Sequence, residues 1–459
     1  MKTREIYGLD LPIFALSALA LLLVLAVMAL AVVTHHPFFD ECVHAHYAWL
    51  ISQGLSPHHD FWCTYPVLTY LVVQPLYRLL PETPVMLLSL RVFSGALLVG
   101  GGIILARHSR RVAGTALWGW APLALIVITP KLSDFFAEFS SDHLAALCAV
   151  GALVLMMNEP NRVRLAAASV LSVISVVATP KYAGTLAPAQ AAFLAYACLK
   201  TPGGWRNAIP AFLAAAATVA ALAVFYRFFG CRLSLNLYWA HIFIGKWMGY
   251  LKNCPIRLSQ TVSAFLLRHW VLGLALLGGV AGWSARCFRP ARAAAWTGTG
   301  ILIGAALSLA ILRRYHEQYL APFLISFAVF PAYLPAALPS QAGKAFLSLA
   351  LVCSLIVTAV AQVWFLRSRL DRFDADRVDP LVDSTRGMGK GIEPALSTLR
   401  TMKAILAMVP PEEKVVAVWE GHPIFRRDQT YITYDMGPGV SFQTLLPPGS
   451  ELFLRFQPG

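Results

Sequence analysis

Apolar runs long enough to cross a bilayer recur along most of the chain. A transmembrane helix needs about 20 mostly apolar residues, and the first run, Leu11 to Val33, reaches that length. The run is too long for a signal-peptide core and no small-residue cleavage site follows it, so we expect it to stay as a membrane anchor. The chain is 58% hydrophobic and 13% charged, about half the charged fraction of a soluble domain. We therefore predict an all-α polytopic membrane protein.

About eleven membrane spans are predicted from these runs. Their approximate bounds are 11–33, 85–106, 113–129, 142–157, 163–179, 182–199, 207–229, 265–285, 293–312, 315–333 and 344–366. The apolar stretch near 66–80 is interrupted by Gln74, Pro75 and Arg78, and we predict that it is an interfacial or re-entrant helix. A true span there would invert the orientation of everything that follows it.

Basic residues mark alternate connections between the predicted spans. If the amino terminus is cytoplasmic, every inner segment is basic, which is the bias that orients membrane proteins. The inner basic residues are Lys2, Arg4, Arg107, Arg110, Arg111, Arg162, Arg164, Lys200, Arg206, Arg286, Arg289, Arg292 and Lys344. This bias accounts for the net charge of +14 without a nucleic-acid partner. The regions left outside are residues 34–84, 130–141, 230–264 and the tail from about 367.

The composition changes at about residue 367. The segment from Arg367 to Arg377 is dense in charge, and alternating runs typical of short strands follow at 415–419, 430–434 and 451–456. We predict a membrane domain over residues 1–366, which includes the first outer loop, and a small α/β domain outside the membrane over residues 367–459. The smaller domain carries no recognisable catalytic motif.

Four of the eight cysteines fall in predicted outer loops. Cys42 and Cys63 lie in the first of these loops, and Cys231 and Cys254 lie in the third. If that side of the membrane is oxidising, each pair can form a disulfide within its own loop. The other cysteines lie within or inside the membrane and are predicted to be small apolar packing residues.

Two adjacent acids, Asp40 and Glu41, follow the first span directly. Carboxylates at the mouth of a membrane helix are costly to desolvate, so the pair indicates a function. A carboxylate there can accept a proton from a hydroxyl group, and His44 follows on the same helical face. The alternatives are a polar stop at the end of the span and a metal site with nearby histidines, although no helical zinc spacing is present.

A second outer loop adds Glu138 and Asp142, which are four residues apart and can share one helical face. Asp142 also stands where a span begins, so it can instead cap that helix or interact with its dipole. Coupled carboxylates also suit a proton-driven transporter. This loop alone therefore does not distinguish an enzyme from a transporter.

The charge bias does not explain the cations on the outer side. Four of them lie at span ends that face outward, namely Lys131, Lys181, Arg313 and Arg314. Singly, they can reach lipid headgroups; together, they can hold a lipid-linked phosphate. His316 and Tyr319 follow the two arginines closely and belong to the same polar edge.

Several of these residues form an ordered series along the chain. The series is Phe39-Asp40-Glu41 with His44, Gly54, Pro57, Asp60-Phe61 and Pro66, then Ser141-Asp142-His143, then Pro180-Lys181, and then His316-Glu317-Gln318-Tyr319-Leu320-Ala321-Pro322. Over about residues 1–335, it resembles the GT-C superfamily of integral-membrane glycosyltransferases, and within it bacterial members related to lipid A aminoarabinose transferases and protein O-mannosyltransferases. One departure is Ser141, where relatives often have arginine.

The resemblance implies an inverting transfer of a sugar from a polyprenyl-phosphate donor to a hydroxyl of a lipid, glycan or protein acceptor. Asp40 would be the general base, and Glu41 would orient it or contact the sugar. The implied substrate-binding residues are His44, Asp60, Glu138, Asp142, Lys181, Arg313, Arg314, His316 and Tyr319, with the phosphate held by Lys181 and one or both arginines. The resemblance assigns no definite cofactor, and a divalent cation stays open because the superfamily contains both metal-dependent and metal-independent members.

The implied location is a bacterial inner membrane, with the amino terminus in the cytoplasm and with the active site and carboxyl terminus in the periplasm. The alternative is a transporter or flippase for a lipid-linked or amphipathic substrate. A transporter is expected to place ionisable groups near mid-membrane and often to show internal repeats. Here the polar groups gather at one face, which favours an enzyme. A structural membrane subunit with incidental acids is a third reading, and the ordered series argues against it.

Overall fold

The structure is a computed structural model of the chain. It describes residues 6–34, 39–61, 63, 65–83, 85–129, 132–237, 263, 265–267, 269–287, 292–311, 320–371, 403–404, 406–415, 424–425 and 427–428. Over these residues the protein is almost entirely helical, which confirms the predicted all-α architecture of the membrane part.

The α-helices are α1 (Ile6–Thr34), α2 (Phe39–Ser52), α3 (Leu68–Val72), α4 (Gln74–Leu79), α5 (Val85–Ala113), α6 (Leu117–Ile128), α7 (Leu132–Ala137), α8 (Asp142–Met156), α9 (Arg162–Ala178), α10 (Ala183–Lys200), α11 (Ile209–Phe228), α12 (Trp270–Cys287), α13 (Ala293–Ile311), α14 (Ala321–Phe327), α15 (Leu334–Ala337) and α16 (Gln341–Asp371). Short 3₁₀ helices cover Pro180–Tyr182, Gly204–Ala208 and Pro331–Tyr333. In the described part of the carboxyl-terminal region, β1 (Lys414–Val415) pairs in parallel with β2 (Arg427–Asp428).

Five of the described helical segments are long and apolar enough to cross a membrane. They are Ile13–Thr34, Val85–Ala113, Gly204–Phe228, Trp270–Cys287 and Gln341–Arg367. These helices indicate a membrane-embedded protein, but the predicted count of eleven spans is not confirmed. The physical reason is helix length: α6 has 12 residues, so it extends only about 18 Å against a hydrocarbon core of about 30 Å.

The predicted α/β domain is not confirmed either. Its first predicted strand begins at Val415, which lies in β1, but the rest of that run and the two later ones lie outside the described residues. Each described strand is only two residues long.

Helices α10 and α13 pack closely through small residues. A Cβ atom on Gly304 would lie 2.3 Å from the carbonyl oxygen of Gly184, and one on Gly300 would lie 2.5 Å from that of Pro188. Both distances are shorter than any real contact of a Cβ atom, so only glycine fits at these positions. The two glycines are four residues apart on α13, a spacing that brings helix backbones together in membrane proteins.

The first outer loop is built around α2. This helix begins at Phe39 and therefore includes both acids at its amino-terminal end. The helix ends at Ser52, and Gly54 follows with a φ of +80°, a conformation that glycine adopts at little cost.

The interrupted apolar stretch forms two short helices, α3 and α4, that pack against α2. Its polar residues bond to backbone carbonyl groups of α2. Gln74 Nε2 donates to the carbonyl oxygen of Ala48 at 2.9 Å, and the Tyr77 hydroxyl donates to that of Ala45 at 2.7 Å. Gln74 and Tyr77 thus attach this stretch to the helix that carries Asp40 and Glu41.

A short carboxyl-terminal segment also contacts α2. The carbonyl oxygen of Ile424 lies 2.6 Å from His46 Nδ1, and the Phe425 ring meets Trp49 edge to face with centroids 6.3 Å apart. Ile424 and Phe425 are both buried. Part of the carboxyl-terminal region is therefore anchored on the first outer loop.

Candidate functional site

Glu41 forms an ion pair with Arg91, and both side chains are fully buried. Arg91 donates from Nε to Oε1 at 2.7 Å and from Nη2 to Oε2 at 2.6 Å, so the contact is bidentate. Sequence reasoning missed Arg91, although an arginine inside the apolar run of α5 was a usable signal. A charged residue within such a run usually has a partner of opposite charge.

The ion pair joins several segments of the chain. Glu41 Oε1 also accepts a hydrogen bond from the backbone N–H of Phe139 at 3.0 Å, and Arg91 Nη1 donates to the carbonyl oxygen of Val32 at 2.6 Å. The pair therefore connects α2 with α1, with α5 and with the segment between α7 and α8. Glu138, also a predicted site residue, interacts electrostatically with Arg91.

His44 is buried on α2 and shares a hydrogen bond between its Nδ1 atom and the Tyr70 hydroxyl. Its ring also packs on Tyr65, with centroids 4.5 Å apart. Burial lowers the pKa of His44 from 6.5 to about 3, and the nearby Asp142 carboxylate opposes this shift only in part. At physiological pH His44 is therefore a neutral hydrogen-bonding group and not a cation.

Lys181 and Asp142 form a second ion pair, with Lys181 Nζ 3.1 Å from Asp142 Oδ2. The Asp142 side chain is 9% exposed and that of Lys181 is 30% exposed, so the lysine side chain is more accessible to solvent than its counter-charge. Asp142 is the first residue of α8, and its N-cap is Ser141. The Asp142 carboxylate thus pairs with Lys181 and is not the N-cap of α8.

Three predicted site residues meet in this way. His44 interacts electrostatically with both Asp142 and Lys181, although the three residues come from α2, from α8 and from the 3₁₀ helix that follows α9. A proline begins that 3₁₀ helix, which turns the chain between α9 and α10 and places Lys181 beside the start of α8. The cluster lies at the end of the bundle where α2 packs.

Asp60 has a local role in the first outer loop. Its carboxylate accepts a hydrogen bond from the backbone N–H of Ser56 at 2.7 Å, and the other oxygen lies 2.7 Å from His59 Nδ1. These contacts stabilise the turn from Ser56 to Asp60, in the manner of aspartates that bond nearby backbone. The predicted sugar contact of Asp60 stays a prediction.

Several predicted residues lie where the structure gives no side-chain position. Asp40 is in α2, but only its backbone is described. Arg313, Arg314, His316, Tyr319, Lys131 and Cys254 lie outside the described residues. Their predicted roles stay predictions.

Cys42 and Cys63, which the sequence suggested as a disulfide pair, are both buried and are not joined by a disulfide. Cys63 Sγ lies 3.3 Å from the carbonyl oxygen of Tyr65 and donates its hydrogen there. Cys231 is a free thiol. Among the described residues, no group of three or more histidine, cysteine, aspartate or glutamate side chains is arranged to hold a metal ion.

Compared with protein-family models, curated proteins and solved structures, the chain matches none of them. The functional interpretation therefore depends on the chemistry of the site. The site combines the partly exposed side chain of Lys181, the buried carboxylate of Asp142 and the neutral imidazole of His44. His44 stands on α2, the helix that also carries Asp40. A partly exposed lysine of this kind can bind an anion such as a phosphate.

Proposed function

We propose that this protein is an inverting glycosyltransferase that moves a sugar from a polyprenyl-phosphate donor to an acceptor hydroxyl. The observation that carries the proposal is the meeting of His44, Asp142 and Lys181 at one end of the bundle, next to α2. We further propose that this end faces the periplasm across a bacterial inner membrane, because the connections at the opposite end are rich in arginine.

In the proposed reaction Asp40 accepts the proton of the acceptor hydroxyl. The oxygen then attacks the anomeric carbon from the side opposite the phosphate, so the configuration inverts. The bond between that carbon and the phosphate oxygen breaks, and polyprenyl phosphate leaves with the electron pair. Lys181 would stabilise the charge of the leaving phosphate, together with Arg313 or Arg314. Because phosphate leaves readily, no strong general acid is needed.

Glu41 has a positioning role in this proposal. Its carboxylate is occupied by Arg91 and by the Phe139 backbone, so it holds the amino-terminal end of α2 and thereby the backbone of Asp40. This corresponds to the orienting alternative for Glu41 rather than to direct contact with the sugar.

The first test compares transfer by the wild type and by Asp40→Asn. The purified protein is reconstituted in lipid nanodiscs and incubated with a panel of polyprenyl-phosphate sugars and acceptors, with and without a chelator of divalent cations. We expect turnover by the wild type and a loss of about 100-fold or more in Asp40→Asn, which is the typical contribution of a general base. Equal turnover in both would refute the assignment of the base.

The second test measures donor binding by Lys181→Ala. We expect weaker binding, whereas Lys200→Ala should bind as the wild type does, since Lys200 is an exposed lysine at the far end of α10. Unchanged affinity in Lys181→Ala would move the phosphate contact to Arg313 or Arg314. Absence of donor binding and turnover, with substrate-dependent movement of lipid-linked sugar across vesicles, would instead support a transporter or flippase.

A further inference from the structure

Two buried polar atoms beside Lys181 have no hydrogen-bond partner among the described residues. They are Asp142 Oδ1 and the hydroxyl oxygen of Tyr182. The Tyr182 side chain is fully buried and Asp142 is 7% exposed. A buried polar atom without a partner is unfavourable, so the free protein leaves two such positions unsatisfied in the same small region.

Both atoms belong to residues adjoining the proposed phosphate contact: Asp142 is hydrogen-bonded to Lys181, and Tyr182 is the next residue in the chain. Tyr182 follows Lys181 in the 3₁₀ helix, and the Asp142 carboxylate is close enough to the Tyr182 hydroxyl to interact with it electrostatically. The other carboxylate oxygen, Oδ2, is already bonded to Lys181. Neighbouring hydroxyls are satisfied: Thr179 Oγ1 lies 2.8 Å from the carbonyl oxygen of Ala178 and 3.1 Å from Ser141 Oγ.

The hydrogen-bonding capacity of these two atoms matches that of a sugar hydroxyl. Asp142 Oδ1 can only accept a hydrogen bond when ionised, whereas a tyrosine hydroxyl can donate one and accept one. A hydroxyl group on a pyranose ring also donates once and accepts, so it can bond to both atoms at once. A phosphate oxygen would not suit this position, because it would face the Asp142 carboxylate.

We propose that Asp142 Oδ1 and the Tyr182 hydroxyl form a subsite that binds one hydroxyl group of the sugar on the polyprenyl-phosphate donor. This inference rests on the proposed function. Lys181 then holds the phosphate, and the adjacent subsite distinguishes a donor that carries the sugar from the sugarless lipid phosphate. Tyr182 is a residue that the sequence did not single out.

The test measures the binding of two ligands to the protein in nanodiscs: a polyprenyl-phosphate sugar and polyprenyl phosphate without a sugar. In Tyr182→Phe we expect affinity for the sugar-bearing donor to fall by about tenfold, which corresponds to about 1.4 kcal/mol and is typical of one lost hydrogen bond. Affinity for the sugarless phosphate should not change. Lys181→Ala should weaken the binding of both ligands.

Tyr333→Phe is the matched control, because Tyr333 is also buried and lies beside His108 near the carboxyl end of α5, far from the cluster. It should bind both ligands as the wild type does. A set of deoxy donors then identifies the hydroxyl. Wild type should lose affinity for one deoxy donor, and Tyr182→Phe should bind that same donor no more weakly than the wild type does.

The outcomes separate this inference from the proposed function. If the wild type binds the donor and Tyr182→Phe binds it equally well, the subsite is refuted while the glycosyltransferase proposal stands. An equal loss for both ligands in Tyr182→Phe would also refute it, because the hydroxyl would then act on the phosphate or on Lys181. If the wild type binds neither ligand, the proposed function fails and the subsite fails with it.

Discussion

Replacing Arg91 by methionine should destabilise the protein strongly, because it leaves the Glu41 carboxylate buried without its counter-charge. Glu41 would lose two of the three hydrogen bonds that it accepts, keeping only that from the Phe139 backbone. Removing one partner of a buried ion pair typically costs about 3–5 kcal/mol. The reverse change, Glu41→Met, should cost a similar amount, since it leaves the Arg91 guanidinium buried without its counter-charge, although Arg91 can still donate to the Val32 carbonyl oxygen.

The double variant Glu41→Met with Arg91→Met should lose much less stability than the sum of the two single variants. It buries no charge, and the remaining loss comes from the Phe139 N–H and the Val32 carbonyl, at about 1 kcal/mol each. We therefore expect a total loss of about 2 kcal/mol and a coupling energy of at least about 4 kcal/mol.

The stability measurement is unfolding of the purified protein in mild detergent by titration with a denaturing detergent, followed by circular dichroism. The wild type and all three variants are measured under the same conditions. Additive losses would refute the reasoning, because they would mean that the two side chains do not stabilise each other. A double variant less stable than either single variant would refute it as well.

Three further predictions test the packing and the protonation states. Gly304→Ala should destabilise the protein by about 1–3 kcal/mol in the detergent titration, since its Cβ would lie 2.3 Å from a backbone oxygen. The control Gly102→Ala should be nearly neutral, because its Cβ would lie 3.8 Å from the nearest side-chain atom. Burial lowers the pKa of His44 to about 3 in the folded state, so below about pH 6.5 the folded state binds fewer protons than the unfolded state. The protein therefore loses stability as the pH falls, by up to about 1.4 kcal/mol per pH unit. His44→Gln should flatten the decline of the melting temperature below about pH 6.5, and the same change at the exposed His59 should leave the decline in place. Phe425→Ala should release the carboxyl-terminal segment from α2, which limited proteolysis would detect as faster cleavage after the membrane part; an unchanged cleavage rate would contradict the anchoring role.

Local signals in the sequence predicted the local structure well. Gln74 and Pro75, which interrupt the predicted apolar stretch, lie at the start of the second of its two short helices, and Gly54 follows the end of α2 with a positive φ. The predicted number of spans is not confirmed, because an apolar helix of 12 to 17 residues is also compatible with a buried helix that does not cross the membrane.

The candidate site was predictable in its residue types but not in its pairings. His44, Asp142 and Lys181 were each identified from the sequence, yet only the fold places Lys181 against Asp142, 39 residues away along the chain. Arg91 lies 50 residues from Glu41, and nothing in the neighbourhood of either residue specifies the other. Tyr182 was unremarkable in the sequence because an unsatisfied hydroxyl is visible only once its surroundings are known.

The sequence by itself determined that this is a helical membrane protein, since apolar composition and run length decide whether a segment can leave water. It also singled out His44, Asp142 and Lys181, which the fold brings together at one end of the bundle. Only the tertiary structure decided which partners those residues have. Glu41 pairs with Arg91 and so links α2 to α5, whereas Asp142 Oδ1 has no hydrogen-bond partner in the part of the chain that the structure describes. The physical reason is that charges and hydrogen bonds are satisfied by side chains that converge from distant segments, and that convergence depends on helix packing.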